Sequence, residues 1–250
     1  MAPFNDLEAT TRIIRQHNDQ LAGVILEPFQ RIIPPAEGFL EGLREVTMGY
    51  DIPLIFDEVV TGFRMAYGGA QENYGVQPDM AAIGKVVGGG YPLAAVCGRA
   101  DIMRHYDSSQ VGEDDYIPQI GTLSGNPVAA AAGLATLAEL RKTGTYQRLR
   151  SVGRRLRTGL QETMDRMEIP AQVVGDDTVF DVCFTDEKVT DYRSSLKADR
   201  DMMRRFNRLL LEQGILKATL KFYVSMAHTD EDVQSTIEAF QLVAEKLRAS

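Results

Sequence analysis

Residues 53–58 have the sequence Pro-Leu-Ile-Phe-Asp-Glu, a short apolar run that ends in two carboxylates. Similar runs lie on either side of it along the chain: Gly-Val-Ile-Leu-Glu at 23–27, and Met-Ala-Ala-Ile at 80–83, which is followed by Gly-Lys at 84–85. A short, continuous apolar run is typical of a strand buried on both faces, as in a parallel sheet. We therefore predict three strands of one sheet.

The spacing of these runs predicts how the strands pair. Asp57 follows Glu27 by 30 residues, and Lys85 follows Asp57 by 28 residues. Each interval is about the length of one βαβ unit, so the three strands are predicted to be parallel neighbours. A fourth run, Leu93–Val96, follows too closely for a crossover helix and is predicted to be antiparallel. Residues 1–140 are thus expected to form the larger, α/β part of the chain.

Several helices are predicted from apolar periodicity and capping residues. The first spans residues 6–21, with Asn5 as its cap and Glu8 completing a capping box. Another runs from Val128 to Leu140, and a helical pattern continues beyond it. Residues 141–250 are predicted to form this connecting helix and a smaller α+β domain. That domain has a hairpin at 173–184 and a last helix that Thr229 opens.

The composition excludes several classes of protein. The chain has 250 residues, and its 27 basic and 35 acidic side chains give a net charge of −8. Nucleic-acid binding is disfavoured because no basic stripe is present. No apolar run is long enough for a membrane span, and the N-terminus lacks the pattern of a signal peptide. Two cysteines and three dispersed histidines predict no metal site, and a cytoplasmic location is expected.

Chemistry-bearing side chains are predicted to meet at one edge of the sheet. Glu27, Asp57 and Lys85 follow the carboxyl ends of their strands, where ligands bind in open α/β sheets. A carboxylate beside an amine suggests acid–base or Schiff-base chemistry. Gly88–Gly90 would let the backbone approach a ligand or turn sharply. Asp57 as a simple cap and Lys85 as a solvated charge are the structural alternatives.

Three segments resemble motifs of one family. Leu-Ile-Phe-Asp-Glu-Val-Val-Thr-Gly-Phe-Arg at 54–64 resembles the aspartate segment of class III aminotransferases, and Ile-Gly-Lys-Val-Val-Gly-Gly-Gly at 83–90 resembles their Schiff-base lysine segment. Gly-Thr-Leu-Ser-Gly-Asn-Pro at 121–127 resembles their phosphate-contacting segment. The resemblance runs over nearly the whole chain. It is nearest to the glutamate-1-semialdehyde aminomutase-like subgroup, whose members carry an apolar residue at the position of Val60.

The resemblance implies a fold and a cofactor. These enzymes have the pyridoxal 5′-phosphate (PLP)-dependent transferase fold type I, in which a mostly parallel sheet belongs to a large domain and a small α+β domain follows. Lys85 would form the Schiff base with PLP and then shuttle a proton, and Asp57 would pair with the pyridine nitrogen. Val60 would pack near the ring, and Thr122 would contact the phosphate across a dimer interface. Glu27 would brace the active-site loops or take part in function.

The implied reaction moves an amino group between an amine or amino acid and a carbonyl acceptor, or within one substrate. A racemase or epimerase on the same fold is an alternative. Another alternative is a non-catalytic subunit that lends Thr122 and a dimer surface to a partner.

The resemblance also implies that an N-terminal half is missing, because family members are much longer. That half supplies the helix start that grips the PLP phosphate, an aromatic ring that stacks on the cofactor, and further strands. We therefore expect a homodimer or a complex with such a half, weak PLP binding by the chain alone, and an exposed edge at the strand that ends near Glu27.

Overall fold

The structure, a computed structural model, describes residues 1–249 and contains two compact units. The first comprises Met1–Phe29 and Pro35–Lys142, and the second comprises Gln30–Pro34 and the chain from Thr143 onward. This division does not itself assign a role to either unit. That residues 1–140 belong to a cofactor-binding domain and residues 141–250 to a small domain stays a prediction.

The first unit contains five helices and four strands among the described residues. In chain order they are α1 (Leu7–His17), β1 (Val24–Leu26), α2 (Phe39–Gly49), β2 (Leu54–Glu58), α3 (Gly69–Tyr74), β3 (Met80–Ile83), β4 (Ala95–Gly98), α4 (Ala100–Met103) and α5 (Pro127–Leu140). Short 3-10 helices lie at Lys85–Gly88, Arg104–Tyr106 and Glu113–Asp115.

The four strands form one sheet in the order β1-β2-β3-β4. β1 pairs with β2 and β2 with β3 in parallel, with Leu26 opposite Phe56 and Asp57 opposite Ala82. β4 pairs with β3 in antiparallel orientation. The predicted order and directions are confirmed, although β4 begins at Ala95 and the prediction had placed it at Leu93–Val96.

β1 departs from the predicted burial on both faces. Ile25 is 66% exposed, whereas Leu54 and Phe56 of β2 are fully buried. The difference arises because β1 lies at one end of the described sheet, while β2 has a neighbour on each side. The exposed apolar edge expected near Glu27 is therefore present in this structure.

The start of α1 was also predicted wrongly. Asp6 caps the helix by accepting a hydrogen bond from the backbone N–H of Ala9, and the helix ends at His17. Asn5 has a positive φ of 65°, and its side-chain oxygen instead accepts a hydrogen bond from the Ala36 backbone N–H. Asn5 thus holds a distant loop, while its neighbour satisfies the helix terminus.

The second unit combines four helices with a three-stranded sheet in its described part. Its elements are α6 (Thr145–Arg166), β5 (Gln172–Asp176), β6 (Val179–Cys183), α7 (Tyr192–Ser195), α8 (Arg200–Glu212), β7 (Phe222–Tyr223) and α9 (Asp230–Arg248). All strand pairs are antiparallel, in the order β5-β6-β7. The predicted hairpin is confirmed, as is the capping box of Thr229 and Asp232, and β7 is a short strand of two residues.

The core of the second unit forms where α6, α8 and α9 cover this sheet. Phe206 of α8 and Phe240 of α9 are fully buried, and both lie within 6.5 Å of neighbouring aromatic rings, measured between ring centroids. Burial of large apolar side chains of this kind stabilises each by about 1.5–3 kcal/mol relative to exposure. Among residues 1–249, no helix is both long and apolar enough to cross a membrane.

Candidate active site

The last two residues of β2 point to opposite faces of the sheet, as alternation along a strand requires. Glu58 shares the buried face with Leu54 and Phe56, and no part of it is exposed. Asp57 lies on the other face and is half-buried. Its Oδ1 atom accepts a hydrogen bond from the backbone N–H of Val59 at 3.0 Å. The Oδ2 atom has no hydrogen bond within residues 1–249 and is therefore available to a ligand.

Lys85 begins the 3-10 helix that follows β3 and is exposed. Its φ of 50° places a non-glycine residue in the left-handed region, which costs about 1–2 kcal/mol for an L-amino acid. In the described part of the chain, its ammonium group makes no hydrogen bond and no ion pair. Strain of this kind at an unpaired cationic side chain is typical of functional positions.

The sheet brings Asp57 and Lys85 to the same edge. Asp57 is opposite Ala82 in the parallel ladder, and Lys85 follows Ala82 by three residues. Since neighbouring strands lie about 4.8 Å apart, the two side chains extend from adjacent strand ends. Glu27 follows Leu26, which is the partner of Phe56, at this edge as well.

Val60 lies in the loop that leaves β2 and is half-buried. Its carbonyl oxygen accepts a hydrogen bond from Nε of Arg64 at 2.8 Å, which holds the loop in a tight turn. Val60 is therefore close in sequence to Asp57 and its backbone is held in place.

Thr122 is not brought into contact with these residues. It is exposed in a turn before α5, and among residues 1–249 no hydrogen bond joins it to Lys85 or Asp57. Asn126 caps α5 by accepting hydrogen bonds from the backbone N–H groups of Val128 and Ala129, and Pro127 occupies the first turn. The segment thus starts a helix, and the role of Thr122 stays a prediction.

The glycines after Lys85 allow a close approach to α5. A Cβ atom on Gly89 would lie 2.2 Å from Oγ1 of Thr136, and Gly89 has a φ of 57°. On the helix side, a Cβ atom on Gly133 would lie 2.8 Å from the Val87 carbonyl oxygen. This packing fixes the segment that carries Lys85, and the approach of the glycine backbone to a ligand stays a prediction.

Asp79 anchors the unit from a position just before β3. It is buried and accepts hydrogen bonds from the backbone N–H of Leu54 and from the guanidinium groups of Arg44 and Arg99. Burial would raise the pKa of Asp79, but these hydrogen bonds outweigh it and hold the pKa below its usual value. The ionised carboxylate therefore links α2, β2 and the end of β4.

Glu58 is the functional-site neighbour that the sequence analysis did not identify. The signal was present, since in a strand that ends Asp-Glu one of two adjacent carboxylates must point to the buried face. Burial, and in second place the charge of Glu58, raise the pKa of the Cys97 thiol on β4. No cluster of three His, Cys, Asp or Glu side chains that could hold a metal ion occurs among the described residues.

Comparisons with known proteins decide the family. The family described as "Aminotransferase class-III" matches residues 3–243. The chain belongs to the class III aminotransferases. Glutamate-1-semialdehyde 2,1-aminomutase 2 of Brevibacillus brevis is 44% identical over 243 residues, which are 95% of this chain and 56% of the aminomutase. This class III chain therefore spans a little over half the length of that curated relative.

Solved structures of transaminases share the fold of the class III chain. The crystal structure of an omega-transaminase from Sphaerobacter thermophilus has a TM-score of 0.91 and 36% identity, covering 98% of this chain and 57% of the transaminase. A structure described as a transaminase with PLP bound has a TM-score of 0.89 and 26% identity, covering 99% and 57%. The predicted α/β fold of PLP-dependent transferases is thus confirmed.

Proposed function

We propose that this chain carries two residues of the cofactor site of a PLP-dependent aminotransferase or aminomutase. One is the lysine that binds PLP, and the other is the carboxylate that pairs with the pyridine nitrogen of PLP. The observation that carries the proposal is the position of Lys85. Its amine has no hydrogen bond or ion pair within residues 1–249, and its backbone is held in a left-handed conformation beside the end of β2. Attachment of an aldehyde cofactor requires an amine that is not held in an ion pair and can act as a nucleophile.

The residues present fit PLP. Lys85 offers a nucleophilic amine, and Asp57 offers a half-buried carboxylate whose Oδ2 atom is not used by the described residues. An ionised carboxylate at hydrogen-bond distance raises the pKa of a pyridine nitrogen and so holds its proton. PLP, when bound, supplies an electrophilic aldehyde and a protonated ring that accepts electrons from the substrate.

The residues of the chain then have distinct roles. Lys85 would hold the cofactor through its amine and would move a proton at the substrate α-carbon as a general base. Asp57 would keep the ring nitrogen protonated. Val60 would present an apolar side chain to the ring and exclude water beside it, since this side chain can neither donate nor accept a hydrogen bond. The 3-10 helix and α5 fix the origin of the lysine side chain.

The proposed substrates are small molecules: an amine or amino acid as donor and a carbonyl compound as acceptor. The names of the relatives support both versions of the reaction, transfer between two molecules and movement within one molecule. Both versions of the reaction would need an amine that binds the cofactor, releases it to the substrate and binds it again. Lys85 is the residue that we propose for this role.

We also infer that the site is completed by another polypeptide surface. Thr122 is flanked by Ile120 and Leu123, which are 87% and 54% exposed. An exposed apolar stretch around a hydroxyl supports a homodimer in which Thr122 reaches the cofactor phosphate of the partner subunit. A complex with an N-terminal half like that of the relatives would cover the exposed Ile25 on β1.

Cytoplasmic location is part of the proposal, supported by the free thiols of Cys97 and Cys183.

The test of the function is transfer of labelled nitrogen. The chain is combined with the part of the Brevibacillus brevis aminomutase that it does not cover, and then supplied with PLP, an isotopically labelled amino donor and a keto acid. We expect label in the amino group of the product, and loss of this transfer in Lys85→Ala. Loss of chirality without nitrogen exchange would instead support a racemase. Transfer that persists in Lys85→Ala would mean that the chain only assists a partner.

A further inference from the structure

Glu58 is a buried carboxylate with its hydrogen-bonding capacity filled by uncharged donors. Its Oε2 atom accepts hydrogen bonds from the Thr61 hydroxyl at 2.9 Å and from the backbone N–H of Ala70. Its Oε1 atom accepts from the backbone N–H and the side-chain amide of Gln71, at 3.2 and 2.9 Å. Burial of a carboxylate is costly unless such bonds replace water, so these contacts define its position closely.

No cation contributes to this arrangement in the described part of the chain, because no ion pair there includes Glu58. Four N–H and O–H donors converge on two oxygen atoms from both ends of the connection between β2 and α3. Thr61 lies near its start, whereas Ala70 and Gln71 lie just beyond its end. One carboxylate therefore closes the whole loop, which we define as the 59–68 segment.

The 59–68 segment has little regular structure of its own. Phe63 adopts a positive φ of 57°, and short turns are held by the hydrogen bonds Gly62 N–H to Glu58 O at 2.8 Å and Arg64 N–H to Thr61 O at 3.0 Å. A loop with a strained residue keeps one conformation only where its surroundings determine it. Glu58 supplies that constraint through side-chain contacts at both ends.

We propose that Glu58 is a positioning residue for the cofactor site. By holding the 59–68 segment it fixes Val60, and by locking the end of β2 it fixes the neighbouring Asp57 on the opposite face. This inference rests on the proposed function for the roles of Asp57 and Val60. Glu58 itself points away from Asp57 in the alternation of the strand and acts on the site only through the backbone.

The test compares two buried carboxylates of the same unit. Glu58→Gln replaces one of the two acceptor oxygens with an NH2 group. This group cannot accept the hydrogen bonds that the donors around Glu58 now make to that oxygen. Asp79→Asn is the matched control, because Asp79 is also buried and hydrogen-bonded but contacts Leu54, Arg44 and Arg99 rather than the 59–68 segment. Thr61→Val, which removes a single donor, is a milder variant if Glu58→Gln does not fold.

Hydrogen exchange of backbone amides in the 59–68 segment measures the positioning role of Glu58 without any cofactor. We expect exchange of the Gly62 and Arg64 amides to accelerate at least tenfold in Glu58→Gln and about threefold in Thr61→Val, relative to the unchanged chain. In Asp79→Asn these two amides should exchange as in the unchanged chain. Equal acceleration in the Glu58 and Asp79 variants, or none in either, would overturn the inference.

The affinity of the same variants for PLP tests whether Glu58 acts on the cofactor site through Asp57 and Val60. We expect about tenfold weaker binding in Glu58→Gln and a change of less than twofold in Asp79→Asn. Binding that is equal in both variants would overturn the link to Asp57 and Val60, even if the exchange result is as expected. If the unchanged chain binds no PLP, with or without the N-terminal part of the aminomutase, the proposed function fails, and the exchange comparison alone decides whether Glu58 holds the segment.

Discussion

Glu58 and Gly69 lie so close together that a side chain at position 69 would have to displace the carboxylate. A Cβ atom on Gly69 would lie 2.3 Å from Oε2 of the buried carboxylate, and Gly69 has a φ of 74°. The glycine starts α3, so the chain reaches the carboxylate with backbone N–H groups, and a methyl group there would push the carboxylate away from its donors. The requirement for glycine therefore has two independent causes, a backbone conformation and a close contact.

Two alanine substitutions separate these causes. Gly75 ends α3 with a similar φ of 69°, and apart from its chain neighbours no heavy atom of residues 1–249 lies within 4 Å of a Cβ atom built there. We expect Gly75→Ala to lower the free energy of unfolding by about 1 kcal/mol through backbone strain alone. Gly69→Ala should cost about 2–4 kcal/mol, because the carboxylate must also move from its donors. Denaturant unfolding monitored by circular dichroism measures both, and equal losses would contradict the contact described here.

We expect the left-handed backbone conformation of Lys85 to lower the stability of the chain. In Lys85→Ala the left-handed backbone remains strained, whereas in Lys85→Gly it does not. We expect the glycine variant to be about 1 kcal/mol more stable than the alanine variant in denaturant unfolding. Glu139, within α5, is the control position, where glycine should instead be about 1 kcal/mol less stable than alanine. The same order at both positions would mean that Lys85 is not strained.

A buried ion pair in the second unit gives a dependence of stability on pH. The side chains of Asp181 and Lys217 are each only 2% exposed and lie 3.1 Å apart. Burial raises the pKa of Asp181 from 3.8 to about 6, although the charge of Lys217 opposes this rise. Burial lowers the pKa of Lys217, and burial together with the charge of Asp181 raises the pKa of Cys183 to about 11.

The raised pKa of Asp181 fixes the sign of the effect. Between pH 3.8 and about 6 the unfolded chain has lost the Asp181 proton while the folded chain keeps it, so rising pH lowers the free energy of unfolding. The loss attributable to this group is at most about 3 kcal/mol across the window. We expect the double variant Asp181→Asn/Lys217→Met to lack this component when unfolding is compared at each pH. Parallel pH profiles of the variant and the unchanged chain would contradict it.

The sequence predicted the sheet well because its information there is local. The run Met80–Ile83 coincides with β3, and the short connection after it required the antiparallel β4. Asn5 and Asp6 are both good caps, and the choice between them depended on Ala36, which lies 31 residues away and offers its N–H to Asn5. Local pattern cannot contain such a contact.

The candidate site was predictable in part for the same reason. Asp57 and Lys85 follow apolar runs, so their placement at one sheet edge could be inferred from spacing. The role of Glu58 could not, because its donors at Ala70 and Gln71 are brought near only by the fold of the intervening loop. The position of Thr122 relative to a cofactor depends on a surface outside the described contacts.

The other proposed roles depend on the proposal that Lys85 is the lysine to which PLP attaches. The most direct measurement is borohydride reduction of the chain after incubation with PLP, both alone and with the N-terminal part of the Brevibacillus brevis aminomutase, followed by peptide mass spectrometry. We expect a pyridoxyl adduct concentrated on Lys85, absent in Lys85→Ala and reduced in Asp57→Asn. An adduct spread evenly over exposed lysines such as Lys142 and Lys197, with the same total in Lys85→Ala, would contradict it.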